Sequence, residues 1–121
     1  MPEAIPALDT KILAAVEALK ANPKIARGIA TALEESDKAM KEQCEICEIP
    51  APTFEESVRA QEIARRMKLY GLTDVTIDEI GNVVGRRPGK GKGPSLALGA
   101  HMDTVFPAGT DVTVHQEGNR Y

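Results

Sequence analysis

The spacing of apolar residues divides the first half of the chain into helices. A first amphipathic stripe is formed by Ile12, Val16 and Leu19. Asp9 can cap the start of this helix, and Pro23 ends it near Asn22 because proline disfavours helical geometry in the residue before it. From Pro23 to about Glu48, apolar residues recur at three- and four-residue spacing with charged residues between them. This pattern predicts a second, long helix with one packed face and one solvated face.

A third helix is predicted after the proline-rich segment IPAPTF, which interrupts the helical pattern. Thr53 is followed three residues later by Glu56, the spacing of a capping box at a helix start. The helix should run to about Tyr70, with Gly71 in the left-handed position just past its end. Its predicted buried stripe consists of Val58, Ile63, Met67 and Tyr70.

The second half of the chain has the alternation and the turn residues of β-structure. Residues 75–78 and 83–87 flank the pair Gly81-Asn82, which favours a tight reversal, so we expect an antiparallel hairpin. The segment PGKGKGP, residues 88–94, has the composition of an exposed loop. It does not match the phosphate-binding Gly-Lys-Ser/Thr pattern, which also requires a following helix.

The segment SLALGA, residues 95–100, is apolar on both faces, as is typical of a strand in the interior of a sheet. Val112 and Val114 alternate again, and residues 117–119 form a predicted turn into one more strand. The chain ends with that strand barely begun, which suggests a piece of a larger domain.

Composition and charge exclude several classes of partner. The 121 residues are about the length of one domain, and 15 Lys and Arg against 18 Asp and Glu give a net charge of −3. Without a basic run, nucleic acid is not an expected partner. The start of the chain lacks a signal peptide, and no stretch approaches the roughly 20 apolar residues that span a bilayer. We therefore expect a cytoplasmic protein that does not enter the membrane.

The two cysteines form one CxxC motif, Cys44 and Cys47, at the end of the long helical pattern. A structural zinc site would need two more ligands, and no histidine precedes His101. A redox pair is a second alternative, but it favours the start of a helix that follows a strand. We interpret the pair as small, half-buried helix residues with reduced thiols, as is usual in the cytoplasm.

The candidate chemistry lies directly after the apolar segment 95–100. His101 and Asp103 are two residues apart, so in an extended chain their side chains project to the same side. A neutral imidazole is a good zinc ligand, and a nearby carboxylate can orient its ring. The alternative is that both residues cap exposed backbone groups where a strand ends.

The string ALGAHMDTVFPAG resembles the first metal-binding motif of the co-catalytic zinc peptidase and deacylase family, which includes peptidase T, carboxypeptidase G, aminoacylase and acetylornithine deacetylase. The strings IPAPTFEE, YGL and DEIGNVVGRRPG are similar to the family's leading region, in the same order. The resemblance covers about residues 40–121, while the preceding residues match less distinctively.

The resemblance implies a fold and site roles. It implies an α/β architecture in which amino-terminal helices precede part of a mixed sheet of an α/β sandwich. Residues 1–48 would be a helical extension with the first helices, and residues 49–121 the first part of the catalytic domain. By resemblance, His101 ligates one of two zinc ions and Asp103 is the catalytic-site aspartate. His115 matches no family position and is interpreted as an ordinary strand residue.

The resemblance also implies a function for the whole protein. The parent would be a zinc metallopeptidase or amidohydrolase that cleaves an amide bond in a small peptide or an N-acyl amino acid. The remaining ligands and the general base of the family would follow residue 121, so we expect the chain itself to be inactive and to self-associate. Two alternatives are a non-catalytic binding or assembly module with the first half of the fold and, more remotely, a thiol redox protein.

Overall fold

The structure, a computed structural model, describes residues 9–121, so the first eight residues of the predicted extension lie outside the described residues. The elements follow the order α1 (Thr10–Ala21), α2 (Pro23–Glu34), α3 (Ser36–Cys47), α4 (Ser57–Leu69), β1 (Thr73–Ile77) and β2 (Val83–Arg86). The architecture is α/β, with helices followed by a small antiparallel sheet. The chain divides into two compact units, one ending at Lys41 and one beginning at Glu42. The predicted division at residue 48, between an extension and a catalytic part, stays a prediction.

Two capped helices, α1 and α2, begin the described chain. The Asp9 carboxylate accepts a hydrogen bond of 2.8 Å from the backbone N–H of Lys11, and the Asn22 side chain accepts one of 3.0 Å from Lys24. Each side chain satisfies a backbone donor that has no partner within its helix. Pro23 occupies the first position of α2, where its missing N–H costs nothing. The predicted first helix and its end at Asn22 are confirmed.

The single long helix predicted from Pro23 is wrong, because the chain leaves helical geometry at Glu35. The backbone ψ angle of this residue is 6° rather than the helical value near −40°, and α2 ends before it. Ser36 then begins α3, with Asp37 in the first turn. Serine and aspartate both favour helix starts, so these residues begin a new helix instead of continuing the old one.

The amino-terminal end of α4 differs from the predicted capping box. The helix begins at Ser57, and no side chain caps it. The Glu56 carboxylate accepts a hydrogen bond of 2.8 Å from the backbone N–H of Phe54, not from that of Thr53. The Thr53 hydroxyl bonds a distant residue of the candidate site instead, as described below. At the other end, Gly71 has a φ of +77°, which confirms the predicted left-handed end of the helix.

The buried face of α4 is turned by about one residue from the predicted stripe. Val58 and Tyr70 are exposed by 62% and 43%, and Ile63 and Met67 are only half-buried. The buried residues of the helix are Arg59, Ala60 and Ala64. The stripe is wrong at its two ends, Val58 and Tyr70, while the hydrogen-bonded Arg59 and two alanines occupy the buried side of the helix.

Ion pairs join α4 to the end of α3. The Glu62 carboxylate accepts from Arg65 at 2.7 Å and from Arg66 at 2.6 Å, and Arg66 also donates to Glu45 of α3 at 2.8 Å. The hydrogen bonds from Arg65 and Arg66 lower the pKa of Glu62 to about 2. Arg66, which is paired with both Glu62 and Glu45, therefore connects α4 to α3.

The predicted hairpin is confirmed. Ile77 pairs with Val83 and Thr76 with Val84 in an antiparallel register, with an irregularity toward Thr73. In the turn, the Asp78 carboxylate accepts from the backbone N–H groups of Ile80 and Asn82, at 3.1 and 2.8 Å. Gly81 has a φ of +93° there, which a residue with a side chain adopts only under strain.

Residues 87–121 contain no regular strand of the described structure. The loop predicted at 88–94 is confirmed, but the buried strand predicted at 95–100 is wrong: Leu96 and Leu98 are exposed by 83% and 89%. A strand requires a hydrogen-bonded neighbour, and no described segment lies beside these residues. The strand predicted around Val112 and Val114 is absent too: the Val114 N–H donates to the Glu48 carboxylate at 3.1 Å rather than to a neighbouring strand, and His115 is an exposed residue outside any assigned strand.

The last predicted turn is present. The backbone N–H of Glu117 donates to the carbonyl of Arg120 at 2.9 Å, and Gly118 between them has a φ of +61°. Within residues 9–121, no helix is both long and apolar enough to cross a membrane.

Candidate functional site

His101 and Asp103 lie in direct contact, as their spacing predicts. The ring Nδ1 of His101 is 2.8 Å from Oδ1 of Asp103. The histidine side chain is 85% exposed, whereas the aspartate side chain is 30% exposed. The pair does not end a strand of the described structure, so individual hydrogen bonds rather than a sheet hold its geometry.

The contact determines which ring nitrogen of His101 is available to a ligand. An ionised carboxylate only accepts hydrogen bonds, so the hydrogen lies on Nδ1 and donates to Asp103. In the neutral ring, Nε2 then carries a lone pair. No hydrogen bond of the described residues occupies Nε2, and the ring is exposed. This is the arrangement in which a carboxylate orients a metal-binding imidazole.

Thr53 holds the other oxygen of the same carboxylate. Its hydroxyl donates to Oδ2 of Asp103 at 2.9 Å. The hydrogen bond from Thr53 and then that from His101 lower the pKa of Asp103 below its usual range. Both oxygens are therefore engaged, and the carboxylate stays ionised well below neutral pH.

The backbone after the pair is attached to the segment between α3 and α4. The N–H and the hydroxyl of Thr104 both donate to the carbonyl of Ala51, at 2.8 and 3.2 Å. Ala51 is 1% exposed, and Pro52 forms a parallel bridge with Thr104. The segment 49–53 thus supports the site through both its backbone and the Thr53 side chain. Thr104, to which no role was assigned from sequence, anchors this backbone.

Arg59 is a site residue that the sequence pattern did not reveal. Its guanidinium donates to the carbonyls of Ile49 and Met102 at 3.0 and 2.7 Å, and to that of Cys47 at 3.3 Å. It is 5% exposed. A signal was present, since Arg59 lies one helical turn before Ile63 of the apolar stripe. A charged residue on the inward face of a helix needs buried polar partners.

His115 makes no hydrogen bond to His101 or Asp103 in the described structure. It lines a cavity of about 430 Å³ together with Cys47, Phe106 and Tyr121. Cys44 and Cys47 are free thiols on α3, the first half-buried and the second exposed. Across residues 9–121, the structure brings together no group of three or more His, Cys, Asp or Glu side chains that could hold a metal ion.

The chain is similar to three curated archaeal proteins named "Putative [LysW]-lysine/[LysW]-ornithine hydrolase". Identity to the Pyrococcus abyssi protein is 38% over 69 residues, which is 57% of this chain and 20% of the relative. The proteins from Pyrococcus furiosus and Thermococcus kodakarensis are each 38% identical over 60 residues, half of this chain. The match therefore spans a fifth or less of the length of these relatives. No model of a known protein family matches the chain.

Proposed function

We propose that this chain supplies one metal ligand and one catalytic-site carboxylate to a zinc-dependent hydrolase of amide bonds. The observation that carries the proposal is the contact between His101 and Asp103, with Thr53 on the second carboxylate oxygen. His101 is the ligand, through Nε2. Asp103 holds the imidazole in the tautomer that leaves this nitrogen free and keeps a negative charge beside it.

The donor set fits part of a zinc centre. One imidazole nitrogen with an oriented ring is a common zinc ligand, whereas open catalytic sites have about three protein ligands. No third candidate lies beside the pair in the described part of the chain. The other ligands and the general base would therefore come from protein outside residues 9–121. A bound zinc ion supplies an activated water and polarises the scissile carbonyl.

The substrate class follows from the resemblance and the relatives together. The family resemblance implies an amide bond in a small peptide or an N-acyl amino acid. The names of the three relatives specify hydrolysis at lysine or ornithine, whose amino groups form amides. We therefore propose that the substrate carries an acylated lysine-like amino acid. Its cleavage adds water across the C–N bond and releases a carboxylic acid and an amine.

We propose two further properties for this protein. Self-association is supported by the exposed apolar residues of segment 95–100. A cytoplasmic location is supported by two free thiols only three residues apart, which remain reduced in that compartment.

The test compares the 121-residue chain with the product of its full reading frame. Both are assayed for hydrolysis of N-acyl-lysine and N-acyl-ornithine, after chelation and after zinc is restored. We expect turnover by the longer product only, loss on chelation, recovery with zinc and loss of turnover in His101→Ala, which lacks a metal ligand. His115→Ala is the matched control and should stay active.

Three outcomes contradict the proposal. Turnover by the longer product that survives chelation would exclude a metal-dependent reaction. Equal loss in the two histidine variants would remove the special role of His101. Absence of any hydrolysis from the longer product, with zinc bound or not, would favour the non-catalytic binding module instead.

A further inference from the structure

Arg59 is the one buried charged residue among residues 9–121. It lies in the first turn of α4, and three of its nitrogens donate to backbone carbonyls. Two of those carbonyls, of Cys47 and Ile49, belong to the end of α3 and the residues after it. The third belongs to Met102, which is 43 residues away along the chain. The side chain therefore joins three segments at one planar group.

The bond to Met102 acts at the centre of the candidate site. Met102 lies between His101 and Asp103, so the orientation of its peptide group decides whether the two side chains project to the same side. The distance from the Arg59 Nη1 atom to the Met102 carbonyl oxygen is 2.7 Å, the shortest of the Arg59 bonds within the ordinary range. A hydrogen bond that holds the Met102 carbonyl therefore also orients the backbone of His101 and Asp103.

A capping role at the carboxyl end of α3 does not by itself explain the hydrogen bonds of Arg59. The last carbonyls of a helix need partners, and a cation there is favourable. That role is met by the bonds to Cys47 and Ile49. A lysine ammonium could satisfy it as a compact point charge, whereas reaching Met102 at the same time requires the separated donors of a guanidinium.

We propose that Arg59 is a positioning residue that holds His101 and Asp103 in the geometry for metal binding. This inference rests on the proposed function for the identity of the ligand, but not for the role of Arg59 in ordering the backbone. Arg59 acts through the Met102 carbonyl. Thr53 and the Ala51 carbonyl support the following residues, so the site is held from three directions.

The test uses Arg59→Lys in the 121-residue chain and in the longer product, with Arg65→Lys as the matched control. Arg65 lies on the same helix, is 60% exposed and is paired with Glu62. Zinc affinity is measured by competition with a chromophoric chelator, and amide hydrogen exchange is measured without metal. We expect Arg59→Lys to bind zinc about tenfold or more weakly, within the range for groups that orient metal ligands.

Hydrogen exchange separates positioning from general destabilisation. The Thr104 amide, which donates to Ala51, should lose protection in Arg59→Lys, while the Asp78 amide of the hairpin should keep it. Should the variant fail to fold, NMR of the unaltered chain gives a second test. Zinc should then shift the side-chain Nε resonance of Arg59 more than that of Arg65.

Two results would overturn the inference, and one would overturn the proposed function alone. Equal zinc affinity and equal Thr104 protection in a folded Arg59→Lys would exclude positioning by Arg59. An unmoved Arg59 resonance under conditions in which the His101 ring resonances do shift on zinc addition would do the same. If His101→Ala leaves zinc binding unchanged while Arg59→Lys still exposes the Thr104 amide, the metal role of His101 fails and the ordering role of Arg59 stands.

Discussion

The Thr53 hydroxyl donates to the Asp103 carboxylate over 2.9 Å, although the two residues are 50 positions apart in the chain. The pattern around Thr53 is that of a helix cap, and local spacing alone favours that role. In a cap the Thr53 oxygen would accept from a backbone N–H, whereas here the hydroxyl donates to the Asp103 carboxylate, whose other oxygen is bound by His101. A residue predicted to begin a helix is therefore part of the candidate site.

Thr53→Val should raise the pKa of Asp103, because the hydroxyl is the largest cause of its depression. Thr53→Ser should keep the pKa low. Thr113→Val is the matched control. The hydrogen bond from Thr113 is the main cause of the lowered pKa of Asp111, so this variant should raise the pKa of Asp111 and leave that of Asp103 unchanged. The measurement is an NMR titration of the carboxyl carbons. An unchanged Asp103 titration in Thr53→Val would show that the hydrogen bond is not formed in solution.

Glu62→Gln should remove part of the acid sensitivity of the second unit. The pKa of Glu62 falls from an ordinary 4.5 to about 2 on folding, through Arg65 and Arg66. Its stabilisation is therefore fully present above about pH 4.5 and lost as the pH falls from 4.5 to 2. Urea unfolding at pH 7 and pH 3 should show a smaller loss in Glu62→Gln than in the unaltered chain. Glu79→Gln, in the hairpin turn, is the control and should retain the full loss.

Gly85→Ala should destabilise the packing of the hairpin on α4. A Cβ atom at this position would lie 3.0 Å from a terminal carbon of Leu72 and 3.2 Å from the sulfur of Met67. Overpacking of this kind costs about 1–3 kcal/mol, only partly offset by the lower entropy of the unfolded chain. Gly91→Ala, with open space around it, should lie within about 0.5 kcal/mol of the unaltered chain. Equal unfolding midpoints would contradict the close packing.

Replacement of Leu96 and Leu98 by serine should weaken self-association. Both side chains are more than 80% exposed in a segment with unpaired backbone groups, a combination that recruits another chain. Light scattering over a range of concentrations should show oligomers of the unaltered chain and a shift toward monomer in the double variant. Ile80→Ser is the control, since Ile80 is equally exposed but isolated in the hairpin turn. A clean monomer of the unaltered chain at high concentration would refute the expectation.

Elements that depend on neighbouring residues could be predicted from sequence, whereas distant contacts could not. The cap at Asp9, the turn at Gly81 and the left-handed Gly71 follow from local chemistry, and all three are present. The His101–Asp103 contact was predictable for the same reason, since the two residues are only two positions apart in the chain. The Arg59–Met102 bond depends on how the chain folds back across 43 residues, and no local pattern encodes that.

The strand predicted at 95–100 illustrates a different gap. An apolar run indicates that a segment favours burial, but it does not supply the neighbour that buries it. Leu96 and Leu98 satisfy the composition of an interior strand, yet nothing in the described structure lies beside them. The apolar pattern of a segment predicts that it favours a buried strand. Whether a strand forms also depends on a second segment that can pair with it.

The loop at 88–94 separates the two sides of the site along the chain, but it holds neither in place. Hydrogen bonds that cross it join Arg59 with Met102, Thr53 with Asp103, Ala51 with Thr104, and Glu48 with Val114. Because these bonds lie outside the exposed loop, a cut at Lys90 or Lys92 would remove none of the bonded groups. The site is in this sense bipartite. A gene divided at the loop would still encode both partners of each of these hydrogen bonds.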